Sequence, residues 1–103
     1  MISVQSNFSQ LMAYDERLCR LGMLAEKYFA DDPNTCLLKL RQFSEGLAQL
    51  TAAHFGLYIS TEETQLDLLQ RLQASGILPQ EIAQLFHAVR KSGNDANHAI
   101  AGD

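Results

Sequence analysis

The sequence predicts an all-α fold, an up-and-down four-helix bundle with room for the start of a fifth helix, and three observations predict it. Apolar residues recur at three- and four-residue spacing along most of the chain. Pro33 and Pro79 stand where helices would begin, and Gly56, Gly76 and Gly93 stand where they would end. The stretches between the periodic segments are short, which favours antiparallel neighbours. With 103 residues the chain reads as one domain, 1–103, able to bury a modest core without disulfides or metal.

The first helix is expected from about Phe8 to Ala30, where Leu11, Tyr14, Leu18, Leu21, Ala25 and Tyr28 share one face. "ADDPNT" then supplies a stop and a start, with Asp32 as cap and Pro33 in the first turn, where no amide donor is required. The second helix follows, with Leu37, Leu40, Phe43, Ser44, Leu47, Leu50, Thr51, His54 and Phe55 marking its inward face and Gly56 as a left-handed terminator. "LYISTEETQ" reads as an ordered loop in which Ser60 and Glu63 offer a capping box. Helix three runs through Leu66, Leu69 and Leu72 to Gly76. Helix four starts at Pro79, turns Ile82, Leu85, Phe86 and Val89 inward, and stops at Gly93.

A net charge of −4 tells against nucleic-acid binding by bulk electrostatics, although a local basic patch is compatible with it. No apolar run approaches the roughly 20 residues that span a bilayer, and "MISVQSNFSQ" lacks the pattern of a secretory signal, so no membrane contact and a cytoplasmic location are expected. Cys19 and Cys36 lack CxxC spacing. In a hairpin of the first two helices they would lie about 12 Å apart, beyond disulfide reach, so both are expected to be reduced, buried or half-buried small hydrophobes.

Before residue 89, no candidate chemistry survives comparison with a simpler role. His54 suits packing or capping at a helix end, and His87 suits the solvent surface. Neither has an Asp, Glu or Cys partner at helical metal-site spacing. The carboxylates of Asp31, Asp32, Glu62 and Glu63 suit helix starts. No GxxxxGK[ST] or GxGxxG loop is present, so no cofactor and no metal are expected in this segment.

"VRKSGNDANHA", residues 89–99, is different. In one reading Gly93 breaks helix four, Asn94 caps a short final turn, and Arg90 and Lys91 sit favourably at a helix C-terminus. In the other, Asn94 and His98 are neighbours on a new turn with Arg90 close across the break, a cluster suited to phosphate binding or acid–base work. Arg90, Lys91, Asn94 and His98 are therefore a candidate phosphate-binding or structural motif, and no catalytic residue is assigned.

The segments "SNFSQL", "AEKYFADDPNTCLLKLRQFSEGLAQ", "DLLQRL" and "LFHAVRKSGNDANHA" resemble the N-terminal helical domain of type I restriction enzyme R subunits of the HsdR type. The resemblance spans nearly the whole chain. Its most specific parts are "DDPNT" and the Arg90, Gly93, Asn94, His98 pattern. It implies a fragment of a much larger parent carrying a Mg-dependent nuclease and an ATP-driven DNA translocase, working with modification and specificity subunits on DNA. This segment itself would be a noncatalytic accessory domain.

The terminal pattern is also similar to HEPN-like domains, some of them metal-independent ribonucleases or toxins, usually active as dimers, in which four to six residues separate Arg and His. Here seven residues, Lys91 to Asn97, lie between Arg90 and His98, which tells against cleavage. Two alternatives to the accessory domain stay open: a small HEPN-like ribonuclease, and a phosphate or nucleic-acid binding module built on Arg90 and Lys91. A homodimer of the isolated domain is compatible with any of them.

Overall fold

Each of the first three helices begins where a side-chain oxygen replaces an intrahelical acceptor that does not exist. The protein, seen in a computed structural model that describes residues 15–101, forms α1 (Glu16–Tyr28), α2 (Pro33–His54), α3 (Gln65–Ala74) and α4 (Gln80–Ala101). Phe8, Leu11 and Tyr14 of the expected first helix lie outside the described residues. Asp15 Oδ1 accepts the Leu18 amide at 2.9 Å to open α1. Asp32 opens α2 as expected: Oδ1 accepts the Thr35 amide at 3.2 Å and Oδ2 accepts the Thr35 hydroxyl at 2.6 Å. Both bonds favour the carboxylate, and they hold the Asp32 pKa below its usual value.

The capping box expected from Ser60 and Glu63 does not form. Thr64 caps α3, its hydroxyl accepting the Asp67 amide at 3.1 Å. Ser60 Oγ instead accepts the Glu62 amide at 2.9 Å. Glu63 is drawn away by Arg71, which donates to it from both terminal nitrogens and also reaches the Leu57 carbonyl at 3.1 Å. A charge-assisted pair outcompetes a neutral cap, and it clamps the loop onto α3.

The stops at Gly56 and Gly76 do form, at φ +72° and +77°. At each, two amides fold back onto the last turn: Gly56 and Leu57 onto Ala53 and Ala52, and Gly76 and Ile77 onto Gln73 and Leu72. The residue following each glycine, Leu57 or Ile77, is thereby turned onto the core of Ala48, Ala52, Leu68, Leu69 and Leu72. Pro79 stands just before α4, its carbonyl accepting the Ala83 amide at 2.9 Å.

Among the described residues the fold is all-α with four helices, and α2 is its spine: α1 packs on α2 alone, while α3 and α4 pack on α2 and on each other. Cys19 and Cys36 are buried free thiols. Burial alone pushes the Cys36 thiol pKa up.

Three expectations are corrected. Gly93 does not stop a helix, and the residues read as the start of a fifth belong to α4, which runs unbroken to Ala101. A Cβ at Gly93 would lie 2.4 Å from the Arg41 Cβ, so the glycine is there because α2 and α4 approach too closely for any side chain. For the same reason the inward faces of α2 and α4 are not the large apolar stripes. Ser44, Gly46, Ala48 and Ala52 of α2 and Ala83, Gly93 and Ala96 of α4 are buried, whereas Leu47, Leu50, Ile82 and Leu85 are exposed. His87, expected on the surface, is half-buried. His54 is exposed, its ring edge-on to Phe55 at 5.0 Å.

Candidate functional site

Because α4 is continuous, Arg90, Asn94 and His98 occur at successive four-residue steps on one helix. The fold treats them differently. Asn94 is tied to α2: its Oδ1 accepts from Arg41 Nη1 at 2.9 Å, across 53 residues of sequence. Arg41 also has Glu45 beside it, with Nε 3.5 Å from Oε1, one turn further along α2. That hydrogen bond ties the last turns of α4 to the middle of α2.

Arg90 and Asn94 line a recess of about 340 Å³ between α2, α3 and α4, together with Glu45, Thr64, Gln65 and Leu66. Arg90 is half-buried, and its Nε has lost solvent without gaining an acceptor; so has Nε2 of Gln65 across the recess. Among the described residues no carboxylate forms an ion pair with Arg90. Lys91 and His98 are exposed and do not line the recess. The structure thus brings together two of the four candidate residues and leaves two outside. The charge of the cluster is felt by His87, whose pKa is pushed below the usual value first by burial and then by Arg90 and Lys91.

The spacing within residues 89–99 gave no view of Arg41, Glu45, Thr64 or Gln65, because they arrive from other helices. Only the four-residue step from Arg41 to Glu45 is a readable signal of a surface pair.

The opposite flank of α4 is apolar. Leu40, Phe43 and Leu47 of α2 and Leu85, Phe86 and Val89 of α4 line a groove of about 230 Å³. Leu85 is 63% exposed and Leu47 36%. Ser44, in the same groove, buries an Oγ that has no hydrogen-bond partner. Exposed apolar side chains grouped in one groove offer area that a further surface can cover.

Among the described residues no group of three His, Cys, Asp or Glu side chains is placed to hold a metal, and no helix is long and apolar enough to cross a membrane. Residues 24–101 match the family described as "Domain of unknown function (DUF4145)". The chain is also 36% identical over 101 residues to the type I restriction enzyme EcoKI endonuclease subunit of Escherichia coli (strain K12). That match takes in 96% of this chain and 8% of the length of the relative. No solved structure matches the chain.

Proposed function

The chain belongs to the DUF4145 family, and from that premise we propose that it is a noncatalytic helical accessory domain of the R subunit of a type I restriction enzyme, docking through the apolar α2/α4 groove. The relative is an endonuclease subunit of which this chain corresponds to a small part, so the equivalent region there has a large body of protein beside it. The observation that carries the proposal is the groove itself: large apolar side chains turned outward on two adjacent helices while small ones do the packing inside. The occupant is an apolar helical surface on the body of that same R subunit. An uncharged, leucine-rich wall offers such a surface burial and offers a nucleic acid nothing.

In this reading the parent's Mg-dependent nuclease and ATP-driven translocase lie in other domains, and its modification and specificity subunits, its DNA and the cytoplasm are its setting. The same reading takes the bundle as a HEPN-like domain without a working Arg and His pair, and what supports it is that Arg90 lines a recess that His98 does not. The test is co-elution of this chain with the remainder of the R subunit from its own source. Binding by the unaltered chain that disappears with Leu47→Glu combined with Leu85→Glu is expected. Failure of the unaltered chain to bind, or equal binding by the double variant, would overturn the proposal.

A further inference from the structure

We propose that the hollow between the start of α1 and the end of α2 is a docking site for residues 1–14 of the same chain, which lie outside the described residues and enter the fold at its rim. The hollow measures about 210 Å³ and is largely apolar. Its lining includes Asp15 and Leu18 at the start of α1, Gly46, Leu50 and Ala53 of α2, and Tyr58 of the loop beyond. It shares no lining residue with the α2/α4 groove, so it stands apart from the docking proposed there.

The hollow opens because α2 runs on past its neighbour. Leu18 sits against Gly46 so closely that an added Cβ would lie 2.7 Å from Leu18 Cδ2. A short turn joins α1 to α2, which sets the two antiparallel. Asp15, three residues before Leu18, therefore falls beside the turn of α2 that carries Leu50, and both line the hollow. From there α2 continues to His54, past the start of α1. Leu50 is 46% exposed, and Ala53 one turn on is exposed as well. Phe55 and Ile59, in the loop that leads on from α2, are large apolar side chains left exposed in turn.

Reach and composition select the occupant. Asp15 is extended, at φ −154° and ψ 104°, and its side chain caps α1, so the chain leaves the axis of α1 at the rim of the hollow. At no more than about 3.6 Å per residue, Leu11 lies within about 14 Å of Asp15 and Phe8 within about 25 Å, whatever backbone they adopt. All 8 basic and 12 acidic residues of the chain lie from Asp15 onward. Residues 1–14 carry Ile2, Val4, Phe8, Leu11, Met12 and Tyr14 and no charged side chain, which is the chemistry that an apolar hollow takes up at least desolvation cost. Being tethered, the segment is present at its site at the millimolar effective concentration of a short linker, which a competing surface from elsewhere has to exceed.

The test is NMR spectroscopy of the intact chain. Nuclear Overhauser contacts from the side chains of Phe8, Leu11 or Tyr14 to the methyl groups of Leu50 and Ala53 are expected, unchanged on dilution. Leu50→Glu should speed amide hydrogen exchange across residues 8–14 about tenfold, whereas Leu47→Glu, at an exposed leucine outside the hollow, should leave it unchanged. Absence of the contacts would overturn the proposal. So would contacts seen only between differently labelled copies, which would make a second copy of the chain the occupant, and so would equal acceleration by both substitutions, which would report a loss of overall stability.

Discussion

His87 carries a proton equilibrium that folding disturbs. Burial disfavours its charged form, and the nearby cations Arg90 and Lys91 add to that, so its folded pKa lies below the ordinary 6.5. The unfolded chain therefore takes up the proton first as the pH falls. The contribution of His87 to stability is intact above 6.5 and is lost as the pH drops through the lowered folded value. Urea midpoints measured from neutral pH down to pH about 5 should fall, and His87→Gln should flatten that slope. An unchanged slope in the variant would place the pH dependence elsewhere. Asp32 and Glu63 act in the same direction but lower on the scale, since their bonds to Thr35 and Arg71 hold carboxylate pKa values down and are lost only on stronger acidification.

The crossing of α2 and α4 rests on Gly93. Placing Ala there would add about 1 kcal/mol of helix propensity. The new Cβ, however, would meet the Arg41 Cβ at 2.4 Å, an atom fixed to the backbone. Overpacking of that kind costs about 1–3 kcal/mol and here lies at the upper end, so Gly93→Ala should be destabilising by about 2 kcal/mol on balance in denaturant unfolding. A more stable variant would show that the glycine had been a propensity defect after all. Gly46 is the milder counterpart, because its added Cβ would meet the movable Leu18 Cδ2 at 2.7 Å. Helix boundaries were legible because their chemistry is local: Asp32 with Pro33, Gly56 and Gly76 each act within a few residues. Facing was not legible. Periodicity locates apolar stripes on α2 and α4, but it cannot say that the helices approach along their small residues and leave the stripes outside. Gly93 misled for the same reason, since a glycine that ends a helix and one that admits a neighbouring helix look alike in sequence. The candidate site was half legible: Arg90 and Asn94 could be picked from one segment, whereas Gln65, Thr64 and Glu45 become their neighbours only once three helices are assembled.

At the scale of the whole molecule, α4 borders two hollows, a recess of mixed lining toward α3 and a wholly apolar groove along α2. The two hollows share no lining residue, so substitutions at Leu47 and Leu85 leave the recess intact. The outward placement of the large side chains also bears on the energy of the free domain. Among the described residues the buried apolar ones are five alanines, two cysteines and four leucines, three of them in α3, so much of the hydrophobic free energy available to this sequence is not realised by folding alone. A surface that covers Leu47 and Leu85, with Ile82 exposed one turn earlier on α4, would realise more of it. Association would then act as a stabiliser by mass action, raising the melting temperature of the domain as the concentration of its binding surface rises. At a hundredfold excess over Kd the gain is about 2.7 kcal/mol, a shift of roughly ten degrees or more for a domain of this size. A domain built this way reports its own engagement through its heat resistance: calorimetry of the free chain and of the complex should differ by that margin, and the double variant at Leu47 and Leu85 should melt alike in both.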